Sequence, residues 1–199
     1  MHRLALFASG SGTNAENIIR YFQNEPQIKV SCICTNRPDA FVINRAKRYD
    51  VPVLIFSRTE FYQTENILNY LLENKIDWII LAGFLWLVPS YLIDHFPNRI
   101  INIHPALLPK FGGKGMYGHH VHQAVIDQKE PVSGITIHFV NHDYDRGSII
   151  FQATCPVEPG DTPDSLAARV HELEYEFFPK IIEREILKGT RDKGQGTRD

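Results

Sequence analysis

The first hundred residues alternate short apolar runs with longer segments of helical periodicity, and this alternation limits the possible folds more than any other feature. The apolar runs, which we predict to be strands, are residues 4–8, 28–35, 52–56, 77–82 and 99–103. Helical periodicity follows the first three runs, through Ile18 and Ile19, over residues 40–49 and over residues 61–74. Alternation of this kind predicts a parallel sheet with helices on both of its faces.

The pattern changes after residue 100, where the chain becomes richer in glycine and in turns. Two helices and two antiparallel strands are predicted there, at residues 121–127 and 164–187 and at residues 134–140 and 148–155. The glycine-rich connection at residues 111–118 is long, and connections of this length are usually functional. The tail, residues 189–199, is polar and aperiodic, so we predict that it is disordered. We therefore predict one domain over residues 1–188, with a Rossmann-like, three-layer α/β/α fold and a mostly parallel sheet of about seven strands.

Charge and hydropathy exclude several classes of partner. The 21 Lys and Arg residues and the 23 Asp and Glu residues give a formal net charge of −2, so we expect no nucleic-acid or membrane partner. The longest apolar run, residues 78–88, is shorter than the about 20 residues of a membrane span, and residues 4–8 are shorter than the apolar core of a secretory signal, so we expect neither. The 3 cysteines lack paired spacing, which fits a reduced, cytoplasmic protein. We expect small-molecule substrates and a monomer or homodimer.

A glycine-rich turn connects the first predicted strand to its helix. Gly10, Gly12 and Ala15 match the G-x-G-x-x-A spacing of dinucleotide-binding folds, and the free N–H groups of a helix start favour a phosphate. The second strand, however, ends in Thr-Asn-Arg at residues 35–37 and lacks the acidic residue that binds the ribose of NAD. An NADP-dependent oxidoreductase, a non-catalytic nucleotide-binding module and an ordinary tight turn therefore remain open from this motif alone.

The segment Asn-Ile-His-Pro at residues 102–105 ends the fifth predicted strand. Asn102 and His104 lie on the same side of that strand and emerge at its carboxyl edge, where open parallel sheets bind ligands. An amide donor beside an imidazole suits a reaction in which a carbonyl oxygen becomes negatively charged. The acidic turn at residues 143–147 supplies a carboxylate that would orient His104 and raise its pKa. A structural hydrogen-bonded pair and a plain turn are the alternatives.

Two further groups have both a structural and a functional interpretation. His119, His120 and His122 are of a residue type that binds zinc, but neighbouring residues rarely converge on one ion, so we favour a solvated loop and predict no metal site. The apolar residues 84–88 follow the fourth strand and would belong to the core. With Trp86 among them, they would alternatively form the wall of a flat pocket for a ring system.

Four segments carry a resemblance to a known family. They are Ser-Gly-Ser-Gly-Thr-Asn at residues 9–14, Leu-Ala-Gly-Phe at 81–84, Asn-Ile-His-Pro-Ala-Leu-Leu-Pro at 102–109, and Gly-Ile-Thr-Ile-His-Phe-Val at 134–140 with Asp-Arg-Gly at 145–147. With these motifs the chain resembles the folate-dependent formyltransferases and, from residue 4 to about residue 187, is similar to phosphoribosylglycinamide formyltransferases. The third motif also occurs in methionyl-tRNA formyltransferases and formyltetrahydrofolate deformylases, but we expect neither of the extra domains of those proteins.

The resemblance implies the formyltransferase version of the three-layer fold and a specific reaction. The formyl group of 10-formyltetrahydrofolate, the co-substrate, would pass to the amine of 5-phosphoribosylglycinamide in de novo purine biosynthesis, through a tetrahedral intermediate and without a metal. The catalytic residues that the resemblance implies are Asn102, His104 and Asp145. The residues implied for the acceptor are Gly12, Thr13, Asn14 and Glu174, and those for the folate are Arg58, Leu85, Trp86, Leu87, Val88 and Asn102. Relatives often carry Arg at the position of Trp86 and Gly at that of Arg146.

Overall fold

The computed structural model describes residues 1–191 and contains a seven-stranded sheet in the order β3-β2-β1-β4-β5-β6-β7. The strands are β1 (His2–Phe7), β2 (Ile28–Thr35), β3 (Val53–Ile55), β4 (Trp78–Leu81), β5 (Ile100–His104), β6 (Val132–Phe139) and β7 (Ile149–Pro156). Neighbouring strands from β3 to β5 are parallel, whereas β6 is antiparallel to both β5 and β7. The mostly parallel sheet of seven strands that the sequence predicts is thereby confirmed.

Helices cover both faces of the sheet, and the alternation of side chains along β1 explains why both faces need cover. Leu4 and Leu6 belong to one hydrophobic cluster, whereas Ala5 and Phe7 belong to a second cluster on the opposite face. The helices that contribute to the first cluster are α1 (Thr13–Tyr21), α2 (Val42–Arg48), α6 (His119–Asp127) and α7 (Pro163–Arg191). Those that contribute to the second are α3 (Arg58–Gln63), α4 (Asn66–Glu73) and α5 (Ser90–His95). The result is the predicted three-layer α/β/α arrangement.

The direction in which the sheet grows reverses between β1 and β4. The chain first adds β2 and β3 on one side of β1 and then returns to its other side with β4. At such a switch point the loops that follow the two strands diverge and leave a crevice at the carboxyl edge of the sheet. Ser9 joins these loops, because its N–H donates to the Gly83 carbonyl at 3.0 Å and its Oγ accepts the Leu85 N–H at 3.1 Å.

The single helix predicted over residues 61–74 is wrong, since the structure has two helices there, α3 and α4. A capping box between Ser57 and Glu60 starts α3 earlier than the apolar periodicity indicated. Thr64 is extended (φ −136°, ψ 168°), and its hydroxyl donates to the Glu60 carbonyl at 2.8 Å and accepts the Asn66 N–H at 3.3 Å. A hydroxyl that bonds the backbone in this way competes with helix continuation, so it separates the two helices.

One further helix was not predicted, and another is longer than predicted. The short helix α5 was not predicted, and α7 runs from Pro163 to Arg191 with Pro179 inside it. Residues 189–191, predicted to be disordered, belong to α7, whereas the predicted disorder of residues 192–199 stays a prediction because those residues lie outside the described part of the chain. No helix within residues 1–191 has the length and apolar character needed to cross a membrane.

Candidate active site

A cavity of about 710 Å³ opens at the carboxyl edge of the sheet, at the switch point between β1 and β4. Its size is in the range of small-molecule binding sites. The walls come from the loops after β1 and β4, the end of β5, the loop before α6, the β6–β7 connection and one face of α7. All catalytic and acceptor residues implied by the resemblance line this cavity, namely Asn102, His104, Asp145, Gly12, Thr13, Asn14 and Glu174.

The side chain of Asn102 is fixed by the antiparallel pairing of β5 and β6, which places it directly opposite His138. Nδ1 of His138 lies 2.8 Å from the Phe139 carbonyl oxygen, which can only accept, so this nitrogen carries a hydrogen. In the neutral ring Nε2 is then an acceptor, and it takes a hydrogen bond from Asn102 Nδ2 at 3.1 Å. The same amide nitrogen donates to Asp145 Oδ1 at 3.4 Å. The tautomer of His138 therefore sets the orientation of the Asn102 amide.

His104 and Asp145 form a close pair at the end of β5. Nε2 of His104 lies 2.7 Å from the Phe111 carbonyl oxygen and therefore carries a hydrogen. Nδ1 of the same ring lies 3.6 Å from Asp145 Oδ2. The proton that His104 gains or loses is consequently the one on Nδ1, beside the carboxylate.

Burial dominates the protonation of this pair. It is the largest influence on the pKa of His104 and lowers it below the ordinary 6.5, although Asp145 and the Phe111 carbonyl act in the opposite direction. The expectation of a raised pKa is therefore wrong in its net direction, because an imidazolium that is only 4% exposed loses its hydration. For Asp145, burial alone would raise the pKa, but the His138 ring, whose Nε2 lies 3.7 Å from Oδ1, the charge of His104 and the Gly113 N–H lower it below the usual value. The resting pair at neutral pH is a carboxylate beside a mostly neutral imidazole.

Thr136 holds the segment that follows His104 against β6. It lies opposite His104 in the strand pairing and is fully buried. Its hydroxyl donates to the Ala106 carbonyl at 2.7 Å and accepts the Leu108 N–H at 2.9 Å. Gln152 on β7 donates to the same hydroxyl at 2.9 Å. These bonds fix the backbone next to His104 without touching its ring.

No role was predicted from the sequence for His138, Thr136 or Gln152. The first two alternate along the predicted strand 134–140, as Asn102 and His104 alternate along theirs. That alternation was the available signal, but it became useful only with the register that pairs the two strands. Register between antiparallel strands joined by a long connection is not fixed by local sequence.

The first turn of α1 forms one end of the cavity. Gly12 is the N-cap with φ 74° and ψ 24°, and no side chain caps this helix start. A Cβ added to Gly12 would lie 2.3 Å from Cγ2 of Val42, so a close approach to α2 requires glycine there as well. The uncapped N–H groups and the helix dipole make this end suitable for an anion.

Glu174 of α7 closes the same end of the cavity. It is 4% exposed, and its Oε2 accepts hydrogen bonds from Asn14 Nδ2 and from His171 Nδ1, each at 2.8 Å. The bond to Glu174 raises the pKa of His171, which also lines the cavity. The predicted acceptor residues therefore meet, and His171, for which no role was predicted from the sequence, adds an imidazole with a raised pKa. We refer to Gly12, Thr13, Asn14, His171 and Glu174 as the polar end.

The opposite end of the cavity is apolar and aromatic. Leu85, Trp86, Leu87 and Val88, all implied for the folate, line it. Arg58 is not among the lining residues, but its guanidinium lies 5.1 Å from the centroid of the Tyr62 ring and 5.5 Å from that of Trp86. Tyr62 also donates its hydroxyl hydrogen to the Leu87 carbonyl at 2.9 Å, which ties the lining loop to α3. We refer to the loop 85–88 with Arg58 and Tyr62 as the aromatic end.

The end of β2 gives no support to a dinucleotide site. Arg37 is exposed and pairs with Asp39 at 3.4 Å, and Asn36 accepts the Ser9 hydroxyl at 2.7 Å. Neither Asn36 nor Arg37 is among the residues found to line the cavity. The described part of the chain therefore lacks a ribose contact at the position where dinucleotide-binding folds have one.

The prediction of a solvated loop for His119, His120 and His122 is wrong, because all three lie in the first turns of α6, but their side chains do not converge. His119 and His122 line the cavity, whereas His120 packs edge-on against Tyr117 with ring centroids 5.6 Å apart. Within residues 1–191 no group of three or more His, Cys, Asp or Glu side chains is arranged to hold a metal ion. His122 is 2% exposed with an unpartnered Nδ1, and burial lowers its pKa to about 4.

Comparison with protein families matches residues 2–182 to the formyl transferase family model. The chloroplastic phosphoribosylglycinamide formyltransferase of Arabidopsis thaliana is 38% identical over 186 residues, which are 90% of this chain and 64% of that protein. The phosphoribosylglycinamide formyltransferase of Haemophilus influenzae is 34% identical over 187 residues, which are 92% of this chain and 86% of that protein.

Solved structures give the same result. The crystal structure of glycinamide ribonucleotide transformylase 1 from Symbiobacterium toebii superposes with a TM-score of 0.83 at 33% identity. The superposition covers 92% of this chain and 86% of that one.

Proposed function

The chain belongs to the formyl transferase family, and from this membership and the site we propose that it transfers a formyl group from 10-formyltetrahydrofolate to the amine of 5-phosphoribosylglycinamide. The observation that carries the proposal is the meeting of Asn102, His104 and Asp145 in one cavity, between a polar end and an aromatic end. A reaction between a phosphorylated amine and a flat, ring-containing co-substrate requires both kinds of surface.

The reaction begins when the amine attacks the formyl carbon. A C–N bond forms, the carbonyl electrons move to oxygen, and the attacking nitrogen becomes positively charged. The Nδ2 group of Asn102, turning from its 3.4 Å bond to Asp145, donates a hydrogen bond to the resulting oxyanion. His104 adds to this stabilisation once it has taken the proton of the attacking amine, because the ring is then positively charged.

His104 and Asp145 move the proton. Because the buried ring is mostly neutral at rest, its Nδ1 takes the proton that the attacking nitrogen releases. Asp145, at 3.6 Å, stabilises the imidazolium formed in this step. The same proton then passes to N10 of the folate as the C–N10 bond breaks, and the oxyanion returns to a carbonyl. No metal and no covalent intermediate with the protein take part.

The two ends of the cavity bind the two substrates. The phosphate of the acceptor lies against the α1 start at Gly12 and Thr13, near His171, whose raised pKa favours its charged form. Asn14 and Glu174, joined at 2.8 Å, form the wall next to it. The co-substrate lies against residues 85–88 and extends towards Arg58.

The test is a formyl-transfer assay with 10-formyltetrahydrofolate and 5-phosphoribosylglycinamide, run with and without EDTA. We expect turnover in both conditions, and a much poorer reaction with glycinamide that lacks the phosphoribosyl group. A nicotinamide-dependent oxidation without formyl transfer would instead support the oxidoreductase that the glycine turn left open. Ligand binding without turnover, unchanged by Asp145→Asn, would support a non-catalytic nucleotide-binding module.

A further inference from the structure

One short backbone segment, residues 111–113, contacts both members of the catalytic pair. The Phe111 carbonyl accepts the Nε2 hydrogen of His104 at 2.7 Å. Two residues later, the Gly113 N–H donates to Oδ2 of Asp145 at 2.9 Å. We propose that Phe111 and Gly113 are positioning residues, whose backbone groups fix the His104 ring and the Asp145 carboxylate in their reactive orientation. The inference rests on the roles proposed above for His104 and Asp145.

The backbone conformation of residues 111–113 brings this segment into direct contact with Asp145. Phe111 has φ 56°, which is unfavourable for a residue with a side chain, and its ring packs against the hydrophobic cluster under α1, α6 and α7. A Cβ added to Gly112 would lie 2.5 Å from Cδ2 of Leu108 and 3.3 Å from Cβ of Asp145. Gly113 has φ 101°, where a side chain is strained. The two glycines therefore allow an approach that other residues at these positions would prevent.

The contact to His104 determines which nitrogen reacts. A carbonyl oxygen accepts in every protonation state, so it keeps the hydrogen on Nε2 and leaves the exchangeable proton on Nδ1. Nδ1 is the nitrogen 3.6 Å from Asp145 Oδ2. Without the Phe111 carbonyl, the neutral ring is free to adopt the other tautomer, in which Nδ1 already carries a hydrogen and cannot take one from the amine.

The Gly113 N–H is the second of two hydrogen-bond donors to the carboxylate of Asp145. Oδ1 accepts from Asn102 Nδ2 at 3.4 Å, and Oδ2 accepts from the Gly113 N–H at 2.9 Å. With one donor on each oxygen, rotation of the carboxylate plane breaks a hydrogen bond. Oδ2 thus stays directed at Nδ1 of His104.

Other titratable groups act on the same ring. Besides Asp145, the charges that influence the pKa of His104 are those of His138 on β6, which lowers it, and of Glu174 on α7, which raises it. These groups belong to elements other than the 111–113 segment. A variant in this segment therefore changes the environment of His104 through the Phe111 and Gly113 contacts, with the other neighbours retained.

The first experiment uses Gly112→Ala, whose Cβ displaces the segment from Asp145, with Gly115→Ala as the matched control in the same loop. An added Cβ at Gly115 meets no atom within 4 Å, although its φ of 89° strains the backbone, so the control reports the effect of loop strain alone. Nitrogen-15 shifts of the His104 ring, assigned by their loss in His104→Gln, give its tautomer and pKa. We expect a mixed tautomer and a lower pKa in Gly112→Ala, and wild-type values in Gly115→Ala.

Kinetics provide the second readout. We expect kcat of Gly112→Ala to fall roughly tenfold with both KM values little changed, because the contact orients groups that act in the transition state. If Gly112→Ala does not fold, replacement of the Gly113 amide by an ester removes only the N–H donor, and the same replacement at Gly115 is its control. An unchanged His104 tautomer, pKa and kcat in the folded variant would overturn the proposal. The NMR measurement needs no formyl transfer, so it decides this inference separately from the proposed function.

Discussion

The two ends of the cavity are built by different means. At the polar end, single hydrogen bonds connect distant parts of the chain, such as the 2.8 Å bond between Asn14 on α1 and Glu174 on α7. At the aromatic end, Trp86 packs against Phe56 and Phe61 with centroid distances of 6.2 and 5.8 Å. The position of its ring is therefore determined by packing rather than by single hydrogen bonds. A hydrogen-bonded carboxylate tolerates few substitutions, whereas a packed aromatic surface accepts another residue of similar volume.

One departure from the family pattern, at Trp86, fits this difference, whereas the other, at Arg146, lies next to Asp145 and at neither end. The departure at Trp86 lies at the aromatic end, where a large ring supplies the surface on which Arg58 rests. At the polar end, in contrast, Gly12, Thr13, Asn14 and Glu174 are residues that the resemblance to the family implies. We therefore expect variants at the polar end and variants at the aromatic end to change the KM of different substrates. Variants of the catalytic residues between the two ends should change neither KM.

The largest effect is expected between the two ends, at His104 and Asp145. Asp145→Asn keeps the shape of the pair but removes the charge that stabilises the imidazolium, so kcat should fall by roughly two to four orders of magnitude. His104→Ala should cost a similar factor, and the double variant scarcely more, because the two residues act as a unit. Steady-state kinetics of the four proteins measure this. Losses that simply multiply would mean that the residues act independently.

The next effect is at the polar end. Asn14→Ala removes a donor from a buried carboxylate, so we expect KM for the phosphorylated acceptor to rise roughly 10- to 100-fold with KM for the folate unchanged. Asn17→Ala is the matched control, because Asn17 also joins α1 to α7, through a 2.9 Å bond to the Tyr175 carbonyl, but does not line the cavity. An equal rise in the folate KM would remove the distinction between the ends. Gly12 is unsuitable for this test, since any side chain would also collide with Val42.

His122 of α6, which lines the cavity, gives the stability of the protein a pH dependence. His122 has a folded-state pKa of about 4, below the ordinary 6.5, so the unfolded chain binds the proton more tightly. Its contribution to stability is therefore complete above pH 6.5 and is lost as the pH falls towards 4. Between pH 7 and pH 5, wild-type protein should lose about 2 kcal/mol more unfolding free energy than His122→Leu, as measured by urea denaturation. An equal loss in both proteins would show that His122 does not titrate in this way.

The smallest effect is expected at the aromatic end. Trp86→Leu removes the ring under the Arg58 guanidinium, so we expect KM for the folate to rise about threefold, with Trp86→Phe closer to wild type. Arg58→Gln should raise it by a similar factor. Arg99→Gln is the control, because Arg99 lies 5.6 Å from the Phe96 ring centroid but does not line the cavity. A change in the acceptor KM instead of the folate KM would assign this end to the wrong substrate.

The parallel half of the fold was predictable because each of its strands is a local apolar run. Strand β2 was predicted with its observed bounds, since Ile28–Thr35 is apolar enough to be recognised without knowledge of its neighbours. The break at Thr64 was missed because a side-chain hydroxyl, rather than a change in hydropathy, ends α3. Such competition between side chain and backbone leaves the apolar periodicity intact.

The site was predictable where it coincides with motifs and not where it depends on tertiary contacts. Asn102, His104 and Asp145 belong to recognisable segments, and the structure brings them together in one cavity. The pKa shift of His104 was predicted in the wrong direction. The sequence shows that a carboxylate is available nearby, but it does not show how deeply the ring is buried. His138 and the Phe111 carbonyl escaped notice because strand register and backbone direction determine their contacts.

The pairing of β5 with β6 also limits how such a chain can change over generations. Asn102 faces His138 and His104 faces Thr136 because of one register, and a shift of β6 by one residue would turn His138 and Thr136 to the other side of the sheet. An insertion within either strand therefore abolishes the reacting centre. Insertions in the segments at residues 84–88 or 114–118 leave that register untouched and alter only the walls around it. Lineages of this fold can thus acquire new substrates by changes in loop length, while the strands that carry the catalytic residues keep the same register.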